Sequence, residues 1–262
     1  MGTQRPVQRA ILAVDVEGFN RPERSNPSRT ELRERLFSIL AAALERASAG
    51  PRQYVLGDTG DGAYMLVDPD VSQAVLLESF VPELHVGLKD YNRDRRDTAM
   101  MRLRVVLHTG YVTKDAHGWS GSDLNFAFRL LDSGPLREEL RATSSPMALM
   151  VSEAIYQGVV HHGWGAIEPS EYRPVEFQAK ETRGRAWLRS VAPAARTAEA
   201  RVPPRQDRRA SRERSGDDRT PQSRVEAVEQ DDGSSGVHFG SDSRITIGGN
   251  VIGRDQINHG PA

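Results

Sequence analysis

Residues 54–66 read YVLGDTGDGAYML: an apolar run, a turn rich in Gly and Asp, and a second apolar run. Strand, Gly-bearing turn and strand in that order is the signature of a β-hairpin. Glycines in the turn let the backbone come close to a ligand, and they do so beside two carboxylates, Asp58 and Asp61. A third carboxylate of the same kind, Asp15, ends the strand-like run RAILAVDV. Acidic side chains at the ends of neighbouring apolar strands suit hard divalent cations, which prefer oxygen ligands and commonly bring phosphates with them. Asp15 and Asp61 are the expected pair. Asp58 competes with Asp61 for the role or serves as a turn former.

Outward from the hairpin, residues 7–16 read as a buried strand, and Gly-Phe-Asn-Arg-Pro after it as a loop. Ser28 with Glu31 has the spacing of a capping box, so a helix is expected from Ser28, with Leu32, Leu36, Ile39, Leu40, Ala43 and Leu44 inward. A second helical region follows Pro69 and Asp70, interrupted or kinked near Pro82. LRVVLHTGYV predicts a strand over 103–112. SDLNFAFRLLDS predicts a helix with Leu124, Ala127, Phe128 and Leu131 inward. MALMVS, EAIYQGVV, YRPVEFQAK and RAWLRSVA then read as strand, short helix, strand and strand. The order β-α-β-β-α-β-α-β-α-β-β predicts an α+β fold, a split βαβ core sheet of ferredoxin-like type with helices packed on it.

The chain has 262 residues, a net charge of −1 and no cysteine. Near-neutral charge implies no whole-chain attraction to nucleic acid, and the absence of thiols excludes disulfides and zinc-thiolate sites. No run approaches the length of apolar residues that a membrane span needs, and the N-terminal residues carry neither a secretory nor an acylation pattern. A cytoplasmic protein without membrane association is expected. Three regions follow from composition: a folded domain over 1–192, a linker rich in Arg, Pro, Asp and Ser over 193–236 that is expected to be disordered, and a Gly-rich tail of short strand pieces over 237–262. The tail would form a small β module, add a strand to the sheet edge of a protein partner, or serve no function.

Other residues carry candidate chemistry. Gly18 and Phe19, directly after the Asp15 strand, offer backbone N–H groups to phosphate oxygens. Asn125 and Arg129 lie four apart on one helical face; an amide and a guanidinium together suit a ribose and a phosphoryl group, and a solvated face is the plain alternative. Arg104 stands amid Leu and Val in its strand and needs either a phosphate or a carboxylate. Lys180 ends a strand and is either a phosphate ligand or a surface lysine. His108, His161 and His162 show no ligand spacing, and no carboxylate-paired pattern accompanies them.

Taken in order, VDVEGF, TGDGAYML, LRVVLHTGYV and GSDLNFAFRL resemble the catalytic domain of class III nucleotidyl cyclases, over roughly residues 8–192. The resemblance implies two divalent ions, Mg²⁺ or Mn²⁺, on Asp15 and Asp61, and a triphosphate wrapped by Gly18 and Phe19. It implies phosphate contacts from Arg104 and Lys180, ribose and transition-state contacts from Asn125 and Arg129, and a head-to-tail homodimer with its sites at the interface. The base-selecting positions of purine cyclases fall at Gly57 and Ser122, with Asp123 beside the latter. At Gly57 the expected lysine is missing. The implied activity is conversion of a nucleoside triphosphate, UTP or CTP, to a 3′,5′-cyclic nucleotide and pyrophosphate, similar to the pyrimidine cyclases of antiphage signalling. An adenylate cyclase with atypical base contacts and a catalytically silent nucleotide-binding module are the alternatives.

Overall fold

The computed structural model describes residues 5–96 and 99–189, together with two short strands in the tail. Strand β1 (Val7–Val16) is flanked on both sides. It pairs antiparallel with β3 (Gly62–Val67), which pairs with β2 (Tyr54–Asp58), and on its other side antiparallel with β4 (Leu103–Asp115). The order β2-β3-β1-β4, with α1 (Asn26–Arg46) between β1 and β2 and a helical segment between β3 and β4, is the ferredoxin-like core expected from the sequence. β4 then runs parallel to β6 (Met147–Ser152), and β8 (Thr182–Arg189) and β7 (Tyr172–Ala179) complete the main sheet. A short β5 (Gly118–Ser120) folds back on β4. In the tail, β9 (Arg244–Ile247) and β10 (Asn250–Gly253) pair as an antiparallel ribbon. The linker over 193–236, and the tail apart from these strands, lie outside the described residues.

Alternation along the strands divides the core in two. Leu12, Val14, Leu103, Val105 and Met65 face a layer formed by α1, α3 (Val81–Asn92) and α6 (Glu153–Gly158). Ile11, Ala13, Val106 and Met150 face α4 (Ser122–Leu131) and α5 (Gly134–Ala142). By the same period of two, Asp15 and Arg104 belong to the α4/α5 face. Both sit at the sheet end where β1 stops and β4 starts, directly opposite each other. Among the described residues no helix is long and apolar enough to cross a membrane.

Local differences from the sequence expectations have simple causes. α1 starts at Asn26, not Ser28: Ser25 is the N-cap, its hydroxyl accepting from the Ser28 N–H at 3.4 Å, with Pro27 in the first turn where its missing N–H costs nothing. Of the expected stripe, Leu32, Leu36, Leu40, Ala43 and Leu44 are buried and Ile39 is half-buried. The interruption expected near Pro82 takes the form of a π segment inside an otherwise unbroken helical run. α2 (Gln73–Val75) widens into a π turn over Leu76–Phe80 before α3, the Val81 N–H reaching back five residues to Leu76. Pro82, next along, has no N–H for the Glu78 carbonyl, and the wider turn absorbs that missing bond. In α4, Leu130 is buried in place of Phe128, whose ring is half-exposed and lies edge-on to Tyr64. α5 and β5 were not expected.

Candidate active site

Asp15 is 9% exposed, and both of its oxygens accept from Arg104, Nε at 2.6 Å and a second guanidinium nitrogen on the other oxygen. Asp15 is thus the carboxylate foreseen as a partner for Arg104. Burial pushes the Asp15 carboxyl above the usual carboxylate range, against the pull of Arg104, and the nearby charges of Asp61 and Asp132 push it the same way. Arg104 feels burial in the opposite sense, but its bond to Asp15 leaves its pKa raised. Each group's ionisation therefore depends on the other.

Asp61 stands in the turn between β2 and β3, one residue before Gly62, which pairs with Asp15 across the sheet. Its carbonyl accepts from the Val16 N–H at 2.9 Å, tying the turn to the end of β1. Asp61 is half-buried, and its carboxylate is close enough to Asp15 to raise the latter's affinity for a proton. Asp61 has no ion-pair partner among the described residues, and its charge beside Asp15 is of the kind a divalent cation neutralises. Among the described residues no group of three or more His, Cys, Asp or Glu side chains is assembled to hold a metal. A two-carboxylate set still fits Mg²⁺, which takes one or two carboxylates and completes its shell with phosphates and water. Asp58, the alternative in the same turn, is also engaged. It binds Arg33 of α1 through both oxygens and accepts from the Gly60 N–H at 2.9 Å, so it shapes the turn and clamps it to a helix.

Gly18 has φ +63°, a conformation that glycine adopts without a Cβ clash. The Phe19 N–H, expected to face phosphate, instead donates to the Val16 carbonyl at 3.2 Å, and the Phe19 ring packs against the core. Beside Gly18 opens a cleft of about 470 Å³ lined by Glu17, Gly18, Arg21, Arg104, Arg137, Leu140 and Arg141. Three of its four arginines were not singled out from the sequence. Arg137 and Arg141 come from α5, whose signal was there to be read in GPLREELRA: a proline in the first turn, and Leu136 and Leu140 four apart.

Asn125 and Arg129 lie on α4, Asn125 exposed and Arg129 half-buried. Arg129 bonds Glu181 at 3.4 Å, next to Lys180 in the two-residue turn joining β7 and β8. Lys180 adopts φ +53°, which is uncommon for a residue with a side chain. The ionic contacts of the expected site residues thus form two groups. Asp15, Asp61 and Arg104 make one, with Asp132 nearby; Arg129, Glu181 and Lys180 make the other.

At the expected base-selecting positions, Ser122 is exposed and Gly57 is covered. A Cβ on Gly57 would lie 2.2 Å from the ring of Tyr64, its cross-strand partner. Burial raises the Tyr64 hydroxyl pKa, so the phenol is neutral near pH 7. Asp123 is held by structural contacts. Its carboxylate accepts from the Tyr111 N–H at 2.6 Å and binds the start of α4 to β4. The same carboxylate stands 3.9 Å from His108 Nε2, so His108 does face a carboxylate after all. His108 is 7% exposed, shares a 2.9 Å hydrogen bond with Ser152, and is held below the ordinary histidine pKa by burial. It braces α4 and α6 against β4.

No protein-family model matches the chain, and neither does any curated protein sequence. Solved structures do. The guanylyl cyclase Cya2 aligns over 72% of this chain and 93% of its own, at 15% identity and a TM-score of 0.51. An adenylate/guanylate cyclase/hydrolase from Silicibacter pomeroyi aligns over 71% and 97%, at 20% identity and a TM-score of 0.50. A bacterial light-regulated adenylyl cyclase aligns over 71% of this chain and 52% of its own, at 13% identity and a TM-score of 0.50. At these identities the likeness establishes the fold, which is that of adenylyl and guanylyl cyclase catalytic domains.

Proposed function

We propose that the protein is a nucleotidyl cyclase that converts a pyrimidine nucleoside triphosphate, UTP or CTP, to its 3′,5′-cyclic monophosphate and pyrophosphate. The observation that carries this reading is the meeting of Asp15, Asp61, Arg104 and Gly18 at one end of the central strands, beside an arginine-lined cleft. Such a cleft suits a triphosphate. Asp15 and Asp61 would hold two Mg²⁺ or Mn²⁺ ions, which supply a lowered pKa at the ribose 3′-hydroxyl and neutralisation of the phosphates.

The chain's own groups do the rest. Arg104 and the Gly18 loop receive phosphate oxygens, and Lys180 adds a cation. Asn125 fixes the ribose so that the hydroxyl lies in line with the α-phosphorus. Arg129 meets the charge that develops on the α-phosphoryl group, a preorganised donor of the sort that usually contributes most to the rate. Because the Asp15 group and the Arg129 group make their contacts separately, we assign them to the two halves of a head-to-tail homodimer site, one half from each copy.

The pyrimidine assignment rests on Gly57. Where purine cyclases carry a selecting lysine, this chain has no side chain, and the Tyr64 ring lies in the space one would occupy. With the neutral Tyr64 phenol there in place of a cationic lysine, we assign the site a one-ring base. The product would act as a second messenger, and the resemblance to the pyrimidine cyclases of antiphage systems supports a role in antiviral defence.

Incubating the full chain with each of the four ribonucleoside triphosphates and Mn²⁺ tests the reading. Cyclic product from UTP or CTP is expected, and Asp61→Asn should abolish it. Product from ATP alone would make the protein an adenylate cyclase with unusual base contacts. No product from any nucleotide would leave a binding module.

A further inference from the structure

The cleft beside Gly18 holds more positive charge than its ion pairs use. Four guanidinium groups line it, those of Arg21, Arg104, Arg137 and Arg141. Arg104 is spent on Asp15, and Arg137 shares its charge with Asp132 at 3.2 Å in a solvated pair. Glu17, the acid in the lining, is itself paired with Arg102 at 3.3 Å. Among the described residues no carboxylate lies within ion-pair distance of Arg21 or Arg141.

Local structure brings both of these residues to the cleft. Arg21 closes the loop after β1, its N–H donating to the Gly18 carbonyl at 3.1 Å. Its side chain then folds back across Gly18, so that a Cβ there would lie 2.2 Å from the Arg21 Nε. This residue can reach over the loop only because position 18 has no side chain. On α5, Leu136 and Leu140 are buried four apart and fix the helix against the sheet. Arg137 and Arg141, also four apart, therefore project as neighbours into the cleft. Planar guanidinium forks side by side match successive phosphates far better than a single carboxylate.

We propose that Arg21, Arg137 and Arg141 form a polyphosphate grip, binding the β- and γ-phosphates of the substrate and the pyrophosphate that leaves. As a statement about substrate this rests on the cyclase reading; as a statement about anion binding it stands on the cleft alone. α5 is then a substrate-binding helix as well as a structural one. The grip is independent of Asp15 and Asp61, so it operates on a phosphate chain with no metal present.

The test is calorimetric titration of the full chain with inorganic tripolyphosphate in the presence of a chelator, at low salt. The wild type should bind, and Arg21→Gln and Arg141→Gln should each weaken binding by about tenfold or more, the share of one charge-assisted hydrogen bond. Arg185→Gln, whose side chain pairs with Glu176 at 3.4 Å on the β7–β8 hairpin, should bind as the wild type does. Binding unchanged in the two cleft variants, no binding by the wild type, or equal weakening in the Arg185 variant would each overturn the grip. Tripolyphosphate binding that depends on Arg21 and Arg141, in a protein that cyclises none of the four nucleotides, would sink the cyclase reading and leave the grip intact.

Discussion

Asp15→Asn is the perturbation whose cost can be worked out most directly. The carboxylate accepts from two nitrogens of Arg104, and the two side chains are 12% and 15% exposed. Removing one partner of such a buried pair leaves the other charge desolvated and unanswered, which costs about 3–5 kcal/mol. Residual water access puts the expected loss near the lower end, about 3 kcal/mol. Arg104→Met should cost less than Asp15→Asn. Asp15 can escape by taking up a proton, the more readily because burial and the charge of Asp61 already raise its pKa. The double variant removes both charges and should recover most of the loss, giving a coupling of about 2 kcal/mol or more in the cycle. Urea unfolding of the four proteins, followed by far-UV circular dichroism, measures it. Additive losses would refute the claim that the pair is a unit, and with it the account of why an arginine is tolerated amid Leu and Val in β4.

Two further outcomes follow from close contacts. Gly57→Lys should lower stability by about 1–3 kcal/mol, because its Cβ would start 2.2 Å from the Tyr64 ring, and that ring is held by Phe128; an unchanged urea midpoint would show that the ring moves freely. His108 has a pKa below the ordinary 6.5 because it is buried, against the pull of Asp123. The unfolded chain therefore binds a proton that the folded one resists, so stability is full above about pH 6.5 and falls as pH drops through the lowered value. His85 is lowered as well, by burial and by Lys89 and Arg189, and contributes in the same sense. His108→Gln should flatten the loss of denaturant midpoint between neutral and mildly acid pH; an identical slope would remove His108 from that account.

The core sheet was legible because each of its strands carries an unbroken apolar run. β1 and β4 are buried on both faces, so a charged residue such as Asp15 or Arg104 stands out within them. The pairing of those two residues was half-legible: the need of Arg104 for a counter-charge follows from its setting, while the choice of Asp15 depends on register, fixed by ten consecutive residues of β1 facing β4. α5 is short, and its signal is confined to Pro135 and one pair of buried leucines, which is less than a periodic stripe. The N-terminus of α1 was misplaced because two serines compete, and Pro27 decides for the earlier one by fitting the first helical turn. The contact of Asp123 with His108 and Tyr111 joins residues on different elements, and spacing along the chain carries no trace of it.

The distribution of charge explains why the candidate site needs a cleft as well as its aspartates. Among the described residues three of the site's ionic groups are already answered within the chain: Asp15 by Arg104, Arg129 by Glu181, and Arg137 of the cleft by Asp132. These pairs hold the groups in position, but a guanidinium already bound to a carboxylate has less attraction to spare for a phosphate. A triphosphate brings several negative charges at once, and the cations without internal partners are the ones that gain most from meeting it. Arg21 and Arg141 are such cations, and both line the cleft beside Gly18. Substrate capture should therefore depend on them, and the exchange of Arg104 from carboxylate to phosphate should follow once the anion is held. In steady state Arg141→Gln should then raise KM with kcat little changed, whereas Asp61→Asn should remove kcat; a variant of Arg141 with normal KM and lowered kcat would reverse that order of events.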